Sequence, residues 1–98
     1  MARIAVEFTY HIDIIEVPDP IAKDIRKYQH AFDKWLYNKN NDHGLWVIVE
    51  GEKMAVAFDC RDFVDYLNKY VVKEGDPACV LVETDLPKSP KIKPDLFF

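Results

Sequence analysis

Hydrophobic and polar residues alternate along the first stretch of the chain and recur at helical spacing further on. From Arg3 to Val17, Ile4, Val6, Phe8, Tyr10, Ile12 and Ile14 form one stripe, and Ala5, Glu7, Thr9, His11 and Asp13 the other. A period of two is the signature of a half-buried strand. The stretch is long against the usual strand of about 5–6 residues. Ile14 and Ile15 are adjacent and break the alternation, so a bulge, a bend or an early end is expected there.

After Pro18-Asp19-Pro20 the period changes. Ile21, Ile25, Tyr28, Phe32, Trp35 and Leu36 recur at helical spacing, with Asp19 suited to the N-cap and Pro20 to the first turn. The helix should stop near Asn38, where a polar run up to Gly44 supplies turn chemistry.

Leu45 to Phe58, LWVIVEGEKMAVAF, predicts a β-hairpin. A two-residue loop at Gly51-Glu52 would place Gly51 where a type II′ turn needs φ > 0. That register pairs Glu50 with Lys53 across the turn, and places Val49 with Met54, Val47 with Val56 and Leu45 with Phe58 on one face. The other face then carries Trp46, Ile48, Ala55 and Ala57, and is apolar where a solvent-facing strand would turn polar.

Asp59 can cap a second helix, with Asp62 in its first turn and Phe63, Val64, Leu67, Tyr70 and Val71 as its buried stripe. Ala78 to Thr84 reads as a short strand. Residues 86–98 hold Pro87, Pro90 and Pro94 among Lys88, Lys91 and Lys93, and read as an extended tail beyond a single α+β domain at 1–85.

The order β-α-β-β-α-β predicts a ferredoxin-like fold: a four-stranded antiparallel sheet with two helices on one face and an extended C-terminal tail. An α+β sandwich in which the first strand pairs elsewhere is the alternative. In the ferredoxin-like arrangement the open sheet face gathers Glu7, Thr9, His11, Trp46, Ile48, Ala55 and Ala57.

Composition and charge narrow the function classes. The chain has 98 residues, 49% hydrophobic and 31% charged, which suits one ordinary globular domain. Its net charge of −4 argues against a phosphate-backbone partner and slightly favours a basic protein partner. Ala55 and Ala57 cannot stack bases, which further disfavours RNA. Cys60 and Cys79 lack metal-ligand spacing. With no signal-peptide pattern and no run long enough to span a membrane, the expectation is a cytoplasmic protein with reduced thiols.

No cofactor motif and no coherent catalytic set stand out. His11 and Asp13, two apart on a strand, point the same way and could form a metal pair or a carboxylate-oriented imidazole, but no third ligand is evident nearby. Cys60, flanked by Asp59 and Asp62, is expected to be inert. Phe97 and Phe98 would cost about 1.5–3 kcal/mol each if left in water, so they are expected to dock, on this domain in preference to a partner. Asp95-Leu96-Phe97 resembles the end of the Gln-Leu-Asp-Leu-Phe peptides that bacterial sliding clamps bind, although Lys93 and Pro94 stand where Gln and Leu would.

The reading that follows is a non-enzymatic protein-binding module of the inhibitor, immunity or adaptor kind, with homodimerisation as one form of that binding. Its contact residues would be Trp46, Ile48, Ala55, Ala57 and His11 on the sheet face and Leu96, Phe97 and Phe98 in the tail. The alternative is a dimeric α+β barrel that encloses a small ligand between facing sheets, with or without catalysis.

Overall fold

A computed structural model describes all of residues 1–98 and has a mixed α+β architecture. In chain order it contains β1 (Ala2–Glu7), β2 (Ile12–Val17), α1 (Asp19–Lys23), α2 (Ile25–Leu36), β3 (Trp46–Val49), β4 (Glu52–Val56), α3 (Cys60–Tyr70), β5 (Val80–Leu86) and β6 (Leu96–Phe97). The strands form one four-stranded sheet in the order β5-β2-β1-β6 and a separate two-stranded sheet of β3 and β4. No helix is long and apolar enough to cross a membrane.

This is not the expected ferredoxin-like topology, for three physical reasons. First, the alternating stretch Arg3–Val17 is two strands. β1 and β2 pair antiparallel with Glu7 opposite Ile12, so the chain reverses at Thr9-Tyr10, and the Phe8 N–H donates to the His11 carbonyl at 2.9 Å. The reversal exchanges the faces. Ile4, Val6 and Phe8 now share a side with His11, Asp13, Ile15 and Val17. The adjacent Ile14 and Ile15 stay in regular register with β1, pointing outward and inward, whereas the pairing with β5 shifts register between them, the irregularity that their adjacency suggested.

Second, the β3–β4 hairpin forms its own sheet instead of the centre of the main one. Its turn is Glu50-Gly51, with φ of 53° and 79°, and Val49 faces Glu52 across it. Two positive-φ residues in a two-residue loop make a type I′-like turn, in place of the expected II′ turn at Gly51-Glu52. Trp46 then faces Val56 and Val47 faces Ala55, one residue off the expected register, with Met54 as the extra residue of a bulge.

Third, the tail supplies a strand. β6 runs parallel to β1, with Leu96 beside Val6 and Phe97 beside Glu7. Asp95 anchors it to both backbone groups of Ala5: its N–H donates to the Ala5 carbonyl at 2.8 Å, and its Oδ2 accepts the Ala5 N–H at 2.9 Å. The Phe98 N–H donates to the Glu7 carbonyl, and the Gln29 side-chain amide donates to the Phe97 carbonyl.

Between β5 and β6 the tail passes from one edge of the sheet to the other. Lys88 pairs with Glu7 at 3.6 Å, and Glu7 lies on the side away from the helices. Ile12 shares that side and is only 1% exposed, although no helix lies there. The tail therefore passes over the outer face beside Glu7 and Ile12, while Arg3 on the same face stays exposed.

The core fills the space between the other sheet face and the helices. Ile4, Val6, Ile15, Val17 and Leu96 come from the sheet, Ile21, Ile25, Phe32 and Leu36 from α1 and α2, and Phe63, Val64 and Leu67 from α3. The amphipathic stripes place α2 and α3 as expected, but the single helix expected from Ile21 to Leu36 is broken at Asp24 into α1 and α2. α3 opens on a reciprocal capping box: the Asp62 N–H donates to Asp59 Oδ1 at 3.1 Å, and the Asp59 N–H donates to Asp62 Oδ2 at 2.9 Å. Asp19 is the first helical residue of α1 and not its cap.

Candidate functional site

The residues expected on one open sheet face do not share a face. The hairpin residues Trp46, Ile48, Ala55 and Ala57 belong to the β3–β4 sheet, whereas His11 follows the β1–β2 turn on the helix side of the main sheet. Leu96 is buried in the core and Phe98 joins an aromatic cluster with Phe8, Phe32, Phe58 and Phe63 at ring-centroid separations of 5.2–5.9 Å. Phe97 alone of the three tail residues faces outward. The Asp95-Leu96-Phe97 segment is thus part of the sheet and is not presented as a free peptide.

Two surfaces remain with chemistry or exposure that the fold leaves to be explained. One is the hairpin. Trp46 is tied at its base: its Nε1–H donates to the Asn41 carbonyl at 2.7 Å, its ring stacks on His43 at 5.3 Å, and the Lys53 ammonium lies 5.6 Å over it. His43, which lies in a polar loop and carried no signal in sequence, is the staple of this region. Its Nε2–H donates to the Leu36 carbonyl at 2.8 Å while Nδ1 accepts the Leu45 N–H at 3.1 Å. Lys53 also donates to Asp42 at 2.6 Å, and that hydrogen bond holds the Asp42 carboxyl below the usual carboxylate range. Beyond this anchored base the strands project outward. Val47, Ile48, Val49 and Met54 are 42%, 60%, 51% and 62% exposed, and Ala55 and Ala57 are exposed beside them.

The other surface is a cleft of about 240 Å³ where the β1–β2 turn, the end of β5 and the start of α3 converge. His11, Asp13 and Asp85 line it, and each offers a ligand atom within 4.8 Å of the others. His11 and Asp13 come together as their spacing on one strand suggested. Asp85 is the partner that could not be seen in sequence. It arrives because β5 pairs with β2 through a bulge that opens the ladder between Ile12 and Ile14.

The His11 and Asp13 side chains are held, and Asp85 is placed by its backbone. The His11 ring stacks on Phe8 at 4.9 Å with the planes 9° apart. Asp13, with a side chain 6% exposed, accepts the Asp85 backbone N–H at 2.9 Å. Asp85 sits in the left-handed region at φ 57°. His11 Nε2 lies 3.4 Å from Asp13 Oδ1 and 4.0 Å from Asp85 Oδ1. Asp59, Cys60 and Arg61 close the cleft on the α3 side. Burial pushes the Cys60 thiol up to about 12, with the Asp13 and Asp59 carboxylates adding to the effect, so this thiol is protonated and unreactive.

A second concavity, of about 400 Å³, lies between α2, α3 and the loop before β3, with Trp35, Tyr66 and Tyr70 on its wall. The three rings contact one another at 5.1–5.9 Å, so they fill their own shared space and leave no slot between them. Compared with known proteins, the chain matches no family model, no curated protein and no solved structure.

Proposed function

We propose that this chain is a small, non-enzymatic protein-binding module whose contact surface is the β3–β4 hairpin. The observation that carries the reading is the exposure of Val47, Ile48, Val49 and Met54 on a two-stranded sheet that pairs with no other strand. An isolated hairpin is marginally stable in water, and contiguous exposed apolar surface marks interaction sites. Strand β3, Trp46 to Val49, carries neither charge nor proline, the usual guards of a free sheet edge. A partner's extended strand can add to that edge through main-chain hydrogen bonds, with alternate side chains setting specificity.

A net charge of −4 favours a basic partner surface. A second copy of the chain pairing β3 with β3 would be a homodimer by the same chemistry. The tail crossing the outer sheet face weighs against a ligand enclosed between two facing sheets.

The test compares the full chain with Val47→Lys and Ile48→Lys by sedimentation and by affinity capture. A concentration-dependent dimer or a captured protein is expected, and both substitutions should abolish it. The fold should survive, because substitutions at exposed sites usually stay within about 0.5 kcal/mol. A chain that remains monomeric and captures nothing, or a capture indifferent to both substitutions, removes this reading.

A further inference from the structure

We propose that His11, Asp13 and Asp85 form a binding site for one first-row divalent metal ion, with Zn²⁺ as the best-fitting occupant. The site is independent of the hairpin surface.

Charge balance is the first support. Asp13 is a carboxylate on the core-facing side of β2, with a side chain only 6% exposed. A carboxylate withdrawn from water costs several kcal/mol unless a positive charge compensates it. The one hydrogen bond the structure gives Asp13 comes from the Asp85 amide, which is neutral. The cleft around it holds three carboxylates, Asp13, Asp59 and Asp85, against one permanent cation, Arg61. Arg61 makes no ion pair with Asp13. An amide acceptor such as asparagine would serve the bulge as well without a buried charge, so the carboxylate calls for a cation, which His11 at 3.4 Å supplies only when protonated.

Geometry is the second support. Two donors each about 2.0–2.1 Å from a tetrahedral ion lie about 3.3–3.4 Å apart. His11 Nε2 and Asp13 Oδ1 are 3.4 Å apart, which is long for a charge-assisted hydrogen bond of about 2.7–2.9 Å. Asp85 Oδ1 lies 4.0 Å from His11 Nε2, the three donors lie within 4.8 Å of one another, and the Asp85 side chain, 84% exposed, is free to rotate toward the third vertex. The Phe8 stack fixes the His11 donor and the Asp85 N–H bond fixes the Asp13 donor, as ligands are fixed in metal sites.

Donor chemistry sets the metal. One imidazole with two carboxylates is a borderline nitrogen–oxygen set, which suits Zn²⁺ and its first-row neighbours better than Mg²⁺, a hard ion that keeps its waters. Three protein ligands leave a coordination position turned to the cleft, where water would complete the shell.

The experiment uses the full chain freed of metal with a chelator and titrated with Zn²⁺ by calorimetry, with thermal unfolding followed in parallel. Saturable 1:1 binding and a raised Tm are expected. His11→Phe keeps the stack on Phe8, and Asp85→Asn keeps a residue that tolerates positive φ. Each should leave the apo fold intact and weaken Zn²⁺ binding at least ~10-fold. Absence of saturable binding by the unsubstituted chain overturns the proposal. So does binding undiminished in both variants, which would place the ion elsewhere. Equal affinity for Mg²⁺ would overturn the assignment to a borderline metal.

Discussion

Asp13 and Asp85 are joined across the β2–β5 ladder by a 2.9 Å hydrogen bond from the Asp85 backbone N–H to Asp13 Oδ1. The ladder on either side is regular in neither register nor spacing, since shifts fall between Ile12 and Ile14 and again between Ile14 and Ile15. A side-chain acceptor here does what the missing strand carbonyl would do. Removing it leaves a part-buried N–H without a partner, so Asp13→Ala should lose about 1–3 kcal/mol in urea unfolding with chelator present. Asp13→Asn retains an acceptor and should stay within about 1 kcal/mol of the parent. Equal losses in the two variants would show that the charge, and not the acceptor, supports the bulge.

The tail is structural as well as C-terminal. Leu96 is 1% exposed beside Val6, and Phe98 lies edge-on to Phe32, Phe58 and Phe63. Leu96→Ala should cost about 3 kcal/mol, within the usual range for truncating a buried large side chain, and Phe98→Ala about 2 kcal/mol, because Phe98 is only partly buried. Phe97→Ala, on the outward side, should cost under ~0.5 kcal/mol. Deleting Pro94 to Phe98 combines both core losses with the β6 hydrogen bonds, which together rival the whole ~5–15 kcal/mol stability of a domain. The truncated chain should be largely unfolded by circular dichroism, and a truncated chain of unchanged Tm would refute the docking.

The hairpin turn carries a removable strain. Glu50 adopts φ 53°, a conformation that costs an ordinary L-residue about 1–2 kcal/mol and asparagine or glycine much less. Gly51 already satisfies the second position of the turn. Glu50→Asn produces the Asn-Gly pair that two-residue type I′ loops prefer. It should raise stability by about 0.5–1 kcal/mol and slow amide exchange in β3 and β4. Faster exchange would mean that the Glu50 side chain has a role that its exposure does not suggest.

The mixed α+β class, both long helices and the Asp59–Asp62 cap were legible because their signals are local. Helical spacing of Ile25 to Leu36 and of Phe63 to Leu67 needs no knowledge of the rest of the chain, whereas the break at Asp24 that separates α1 from α2 leaves no mark in the period from Ile21 to Leu36. The Thr9-Tyr10 reversal was not legible, because neither residue is a turn former and the alternation runs through it unbroken. Length offered the one clue: a strand from Arg3 to Val17 would run about 50 Å at ~3.3 Å per residue, beyond the 42 Å greatest extent of the domain. Strand β6 has two residues, too few to show any period. Asp85 lies 72 residues from Asp13, so no spacing rule could join them. The hairpin was legible as a hairpin, but its turn and register were not, because Glu50 takes a backbone conformation its residue type disfavours.

Alkaline pH should destabilise the fold through Cys79. Its thiol is buried beside Asn68, whose side chain accepts the Cys79 N–H at 2.7 Å and donates to the Cys79 carbonyl at 3.0 Å. Withdrawal from water pushes the thiol up from 9.0 to about 11. Below pH 9 both states hold the proton, and the group contributes no pH dependence. Between pH 9 and 11 the unfolded chain releases it while the folded chain keeps it, so the unfolded state binds fewer protons and stability falls as pH rises. Burial raises the Tyr66 hydroxyl as well, and this acts in the same direction at higher pH. The urea midpoint should therefore decline from pH 9 to 11, and the decline should be shallower in Cys79→Ala. In the folded chain at pH 8 the Cys79 thiol should resist iodoacetamide and react on unfolding. An identical pH slope in the parent and Cys79→Ala, or rapid labelling in the native state, would show that this thiol is not held in the protonated, buried form.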